Sequence, residues 1–411
     1  MQVRCGAPTV LDYALTVMAM RGSAKAATED EPHMRPLDGV KVIEMAGLAP
    51  VPYAGMILAD FGADVIRVDR SPAEGGKADP TRDCLARGKR SIGINLKDPR
   101  GVELLLKLVE NADVLVEPFR PGVMEKLGVG PDVALARNPR LVYARLTGWG
   151  QGGAYGPMAG HDINYIALSG TLSCFGRKGE RPLPPVNLLG DFAGGGMLCA
   201  LGIALALFER TSSGKGQVID AAMVDGAANL ATFLFGFRAA GMWSDEHGTN
   251  LLDTGAPFYD TYEAADGKYV AVGAIEPQFY AKLLEGLDID PATLPHQFDR
   301  DAWPATATRF AQVFKRRSRD EWAKVFDGTD ACVAPILTLG EAPEHPHNIA
   351  RRTFVESAGD PTPQPAPRLS RTPGTVGGAA PLPGQHTDEV LRAAGISADE
   401  IARLRRDGIA G

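Results

Sequence analysis

Two short stretches, "AGHDINY" at residues 159–165 and "NLLGDFAGGG" at 187–196, set a histidine and an aspartate among apolar, glycine-flanked neighbours. Imidazole titrates near about 6.5 and a carboxylate near about 3.9, and burial lifts the latter, so His161 and Asp191 are types that can pass a proton in either direction. Each alone has a plainer reading. His161 can be a satisfied structural histidine, and Asp191, ahead of a long apolar run, can be a helix N-cap. The glycine triplet after Asp191 would let a ligand approach the backbone closely. A third group is basic: Arg67, Arg70, Arg82, Arg87, Lys89 and Arg90, in "VIRVDR" and "TRDCLARGKRSIGINLK". Such a cluster suits phosphates, or is simply a solvated charged loop.

Other chemistry is poorly represented. The chain has no Walker motif, no H-E-x-x-H and no G-x-S-x-G, and its first strand is followed by "AGLAPVPYAG" rather than a dinucleotide fingerprint. His345 and His347 lie in a Pro-rich loop, and His33, His247, His296 and His386 are isolated, so no metal site is expected.

The elements that must position these groups follow a βαβ rhythm. "VKVIEM", "DVIRVDR", "SIGINL", "DVLVEPF" and "LVYARLTGWG" have strand character, and "PYAGMILADFG" and "PRGVELLLKLVENA" have helical periodicity. The alternation predicts an α/β fold with a mostly parallel sheet covered on both faces, whose carboxyl edge would receive ligands. The basic group follows the second strand at that edge. "FAGGGMLCALGIALALF" is slightly short for a membrane span and is expected to be a buried helix; "GQVIDAAM" and the helical "VDGAANLATFLFGF" follow.

Domain boundaries come from shifts in composition. A large Rossmann-like domain is expected over residues 35–240, an aperiodic linker over 241–254, and a smaller α+β domain over 255–345 around an Asp-Gly hairpin in "YDTYEAADGKYVAVGA". Residues 346–411 are expected to run extended through a Pro/Gly-rich strip and end in two helices returning to the large domain, the second capped by "SADE". Residues 1–34 are taken as an extension of unknown role. A net charge of -7 excludes a general electrostatic grip on nucleic acid or anionic membrane. The 5 cysteines are widely spaced with no C-x-x-C pair, which suits a reducing compartment, and the cytoplasm is the expected location.

Many segments in order, among them "GLAPVPYAGMILADFGADVIRVDR", "GKRSIGINLK", "EPFRPGVMEKLGVGP", "AGHDINYIALSG", "LLGDFAGGG", "GKGQVIDAAM" and "AVGAIEPQFY", resemble the class III CoA-transferase (CaiB/BaiF) superfamily and, within it, the α-methylacyl-CoA racemases. The resemblance implies that fold, an interlocked homodimer, an acyl-CoA thioester substrate and no cofactor. It implies epimerisation of 2-methylacyl-CoA through an enolate-like intermediate, with His161, Asp191 and Glu276 catalytic and Glu276 reaching His161 from the other subunit. It further implies substrate and CoA contacts at Arg70, at Ile94, Asn95, Leu96 and Lys97, and at Gly160, Asp162, Ile163, Asn164 and Tyr165, with Lys89 and Arg90 in the phosphate-binding cluster. The start of the Asp191 helix is an expected donor to the developing oxyanion. The competing expectation is a CoA-transferase in which Asp191 attacks the thioester as a nucleophile; a non-catalytic CoA-binding dimer is a third.

Overall fold

The computed structural model describes residues 34–70, 83–357 and 359–411; the extension before Met34, and Arg82 of the basic group, lie outside them. Strands β1 (Lys41–Met45), β2 (Asp64–Asp69), β3 (Arg90–Gly93), β4 (Val114–Glu117), β5 (Val142–Thr147) and β6 (Gln217–Ala222) form one parallel sheet in the order β3-β2-β1-β4-β5-β6. The chain reverses its winding between β1 and β4, which opens a crevice at their carboxyl ends.

Helices packed with this sheet include α1 (Pro50–Asp60), α2 (Pro99–Val109), α3 (Asp162–Leu168), α4 (Leu188–Ser213), α5 (Met223–Leu230) and α6 (Thr232–Ala239). Proline at the first turn starts both α1 and α2, and the Asp98 carboxylate caps α2 by accepting from the Arg100 amide. Side chains alternate across the strands. Ile43, Ile66, Val68, Leu115 and Tyr143 pack with Leu104, Leu105 and Leu108 of α2, whereas Val42, Val65, Val114, Val142 and Ala144 pack with Val51 and Leu58 of α1 and Ile203 of α4.

The smaller unit has its own core. Strands β7 (Tyr259–Glu263), β8 (Tyr269–Gly273) and β9 (Val333–Pro335) make an antiparallel sheet, with Gly267 at positive φ turning the expected hairpin. Helices α7 (Pro277–Gly286), α8 (Trp303–Phe314) and α9 (Arg319–Phe326) cover it, burying Phe258, Phe310, Phe314 and Trp322. Residues 241–254 lack periodicity because side chains organise them. Asn250 is fully buried, and its amide donates to the Ser244 carbonyl and to Asp253.

The Pro/Gly-rich strip is laid along the large unit by backbone bonds from Thr375 to Asp60 and from Gly88 to Gly378. Helices α10 (Thr387–Ala393) and α11 (Ala398–Arg406) then bury Val390, Leu391, Ile401 and Leu404 in the α2 layer. Half of the expected capping box on α11 forms. Ser397 accepts from the Glu400 amide, but the Glu400 carboxylate turns to Arg403.

Helix α4 departs from its expected burial. Cys199, Ile203 and Leu207 face the core, while Met197, Leu201, Leu205 and Phe208 are open, Phe208 to 77%. Phe233 and Phe235 of α6 are open as well, so this side of the protomer presents a broad apolar surface. Among the described residues α4 is the one helix long and apolar enough to cross a membrane.

Candidate active site

The crevice at the β1–β4 switch holds two adjoining cavities. The first, of about 520 Å³, is lined by Met45, Val68, Asp69, Arg70, Ile94–Lys97, Phe119, Val123, Leu127 and Gly408. The second, of about 470 Å³, is lined by Leu48, Arg120, Trp149, Met158, Gly160, His161, Tyr165 and Asp191, among others. Both are bordered by Ala46, Arg70 and Phe119, so they form two arms of one groove with Arg70 at the junction.

In the first arm the chain leaves β2 and β3 directly into the lining. Ile94 and Asn95 are held in place by a return of the chain: the Asn95 amide donates to the Ile409 carbonyl, and Gly93 and Gly411 exchange two backbone bonds. Arg70 and Lys97 supply positive charge to a wall that is otherwise mainly apolar. The loop after β4, which borders both arms, is fixed by the buried Glu117 carboxylate, which accepts from the Phe119 amide at 2.6 Å and from Arg145. Burial pushes the Glu117 carboxyl up to about 7, despite Arg145 and that amide.

In the second arm His161 and Asp191 share one cavity. His161 precedes α3, and the Asn164 side chain accepts from its backbone amide at 3.1 Å, fixing the start of the helix. Asp191 is no N-cap. It lies inside the first stretch of α4, Leu188–Met197, which is wound as a π-helix, a winding often found at functional sites. Asn187 donates to its carboxylate at 3.1 Å. Burial raises the Asp191 pKa, Asn187 lowers it, Asp162 raises it and the nearby His161 lowers it. A raised carboxyl is more useful as a proton donor near neutrality.

The glycine triplet serves packing rather than ligand approach. A Cβ at Gly194 would lie 2.8 Å from the Ala227 amide nitrogen, and one at Gly196 would lie 2.6 Å from the Pro50 carbonyl. The π-helical stretch can therefore press against α5 and α1 only with hydrogen at those positions.

Several expected contacts are corrected. Lys89 is fully buried, its Nζ 2.6 and 2.9 Å from the Glu44 carboxylate and 2.8 Å from the Pro52 carbonyl, so it does not reach the groove. Arg90 begins β3, at the amino edge of the sheet, and pairs with Asp64 and Glu389. Arg67 and Arg87 are likewise buried, against Asp69 and Asp60. Arg67, Arg87, Lys89 and Arg90, clustered in sequence, are dispersed because each is paired with its own carboxylate. The expected set near "AGHDINY" also divides. Gly160, His161 and Tyr165 line the cavity, whereas Ile163 is exposed, Asn164 caps α3, and Asp162 is buried behind the cavity wall. Two of the amides at the start of α4, expected to serve an oxyanion, are already taken: Gly190 and Asp191 donate to Asp162 Oδ2. Glu276 sits exposed before α7 in the smaller unit and does not line the groove of its own chain.

Sequence reasoning passed over Phe119, Arg120, Trp149, Met158 and Gly408. The first two directly follow a strand at the switch point, a positional signal that "EPFRPG" carried. Trp149 packs edge-on to Tyr165, with centroids 4.7 Å apart, and forms an aromatic wall beside His161. Among the described residues no three His, Cys, Asp or Glu side chains converge to hold a metal ion.

The chain is 54% identical to alpha-methylacyl-CoA racemase of Mus musculus and 52% identical to that of Homo sapiens, in each case over 91% of this chain and 97% of the relative. A solved CAIB/BAIF family protein from Brucella suis superposes with a TM-score of 0.75 at 26% identity, over 88% of this chain and 99% of that one. The family model for CoA-transferase family III matches residues 37–387. With the parallel sheet, its switch-point groove and this match over most of its length, the chain belongs to CoA-transferase family III.

Proposed function

We propose that the protein epimerises 2-methylacyl-CoA thioesters by two-base proton transfer, a reading supported by the strong similarity to alpha-methylacyl-CoA racemases. The observation that carries it is the sharing of one cavity by His161 and Asp191, next to an arm whose mouth holds Arg70 and Lys97. One group removes the α-proton, and the C–H electron pair moves into an enolate whose negative charge rests on the thioester oxygen. The other group delivers its own proton to the opposite face of the α-carbon. After turnover the two groups have exchanged protonation states and re-equilibrate with solvent. Protons move and no electrons leave the substrate, so the step calls for no redox group.

The remaining roles follow the groove. Arg70 and Lys97 suit the CoA phosphates, and Ile94, Asn95 and Leu96 would flank the nucleotide. Trp149, Tyr165, Met158 and Leu48 would receive the acyl portion. The Asp162 and Ile163 amides, immediately after His161, would serve in place of the occupied Gly190 and Asp191 amides as donors to the enolate oxygen. Glu276 of the partner subunit would approach His161 in an interlocked homodimer, which would also cover the open faces of α4 and α6. The four described cysteines are free, which suits the cytoplasm.

The test is incubation of a single-epimer 2-methylacyl-CoA in D₂O with no acceptor acid. Deuterium at the α-carbon and appearance of the second epimer are expected. No exchange, with CoA transfer once a carboxylic acid is added, would instead make Asp191 the nucleophile of a transferase.

A further inference from the structure

Asp162 stands out among the buried polar groups. It is 5% exposed, next to His161 in sequence, and its Oδ2 accepts from the amides of Gly190 at 2.6 Å and Asp191 at 2.7 Å. Its Oδ1 is buried with no hydrogen-bonding partner. A carboxylate held this way is costly, so the hydrogen bonds it does make need an explanation. Those bonds tie the start of α3 to the π-helical stretch, and thus the backbone of one proton carrier to the backbone of the other. The space at Gly190 is fitted to the contact, since a Cβ there would fall 2.6 Å from Asp162 Oδ2.

We propose that Asp162 is a positioning residue: its side chain clamps the Asp191 backbone to the His161 turn, fixing the separation of the two proton carriers and placing a fixed negative charge beside the Asp191 carboxyl. The inference deepens the racemase reading and rests on it for its kinetic part only. The charges around Asp191 are Asp162 at the start of α3 and His161 just before it, with Tyr165 on the same helix, and Arg70 and Arg120 from the loops lining the cavity. Of these, Asp162 opposes ionisation of Asp191 and His161 favours it.

Two readouts test the clamp. In full-length protein carrying ¹³C-labelled aspartate, with the Asp191 signal assigned by its loss in Asp191→Asn, the Asp191 carboxyl should titrate at lower pH in Asp162→Asn than in the parent. In epimerisation assays Asp162→Ala should lower kcat by about 10²-fold with little change in KM, as expected when reacting groups are misplaced by about an ångström. Asp162→Asn keeps an oxygen acceptor and should lose less, and Gly190→Ala should reproduce the Asp162→Ala pattern. An Asp191 titration unmoved in Asp162→Asn would overturn the proposal, as would unchanged kcat in a folded Asp162→Ala variant. If Asp162→Ala fails to fold, the Asp162→Asn titration decides. That titration needs no turnover, so it stands or falls separately from the racemase reading.

Discussion

The two arms of the groove are built in opposite ways. The first arm is lined largely by residues that directly follow β1, β2, β3 and β4, with Ile94 and Asn95 braced by the returning chain at residues 409–411. The second is assembled from segments far apart in sequence, around residues 46–50, 118–121, 146–165, 191 and 223, and depends on a π-helical turn and a buried carboxylate for its shape. The first has the rigidity of strand ends and carries charge, which suits binding. The second sets two titratable groups at a common cavity by tertiary contacts alone, which suits chemistry. Changes in the first arm should therefore act on KM, and changes in the second on kcat.

The largest expected effect is in the second arm. His161→Ala should reduce epimerisation by about 10² to 10⁴-fold while KM stays near its parent value, as measured by steady-state kinetics with either epimer. A proportional rise in KM would blur the distinction between the arms.

Next comes a residue that sequence alone assigned to the first arm. Lys89→Ala strands the buried Glu44 carboxylate and should cost about 3–5 kcal/mol in urea unfolding. Any folded fraction should keep its KM for the acyl-CoA, because Lys89 faces Pro52 and Glu44 and not the groove.

Glu117 lies beneath the loop common to both arms. Its folded pKa of about 7 stands above its ordinary 4.5, so the folded chain holds this proton more tightly than the unfolded one. The stabilisation from this group is full below about pH 4.5 and lost as pH rises through about 7, on the order of 3 kcal/mol in all. Glu117→Gln should flatten that part of the stability profile, checked by urea midpoints at about pH 5 and about pH 8.

The smallest effect is at the junction. Arg70→Ala should raise KM roughly tenfold with kcat little changed, as loss of one phosphate contact implies. A fall in kcat with KM intact would move Arg70 from binding into the chemistry.

What the sequence made legible follows the same division. β-branched strands alternating with amphipathic helices are local signals, so the parallel sheet and its ligand-binding edge could be read directly, along with Arg70 in the basic group, whereas the 94–97 turn came only from the family resemblance. His161 and Asp191 were visible as odd polar residues in apolar, glycine-rich settings. The burial of Lys89 and Arg87 was not legible, because it depends on Glu44 and Asp60, which lie 45 and 27 positions away. Nor was the π-helical winding, since the glycines of "GDFAGGGM" are accounted for only by tertiary packing, Gly190 against Asp162, Gly194 against Ala227 and Gly196 against Pro50. The open face of α4 was mistaken for core because composition registers apolarity, not what covers it.

The central claim is that two separate groups carry the proton on opposite faces of one carbon, and crossed exchange tests it most directly. Each pure epimer would be incubated in D₂O with His161→Ala and with Asp191→Asn, and α-deuterium scored apart from epimerisation. Both variants should fail to epimerise, yet His161→Ala should still exchange the α-proton of one epimer and Asp191→Asn that of the other. If one variant exchanges both epimers normally, or both lose exchange from the same epimer alone, a single group handles the proton and the two-base account is wrong.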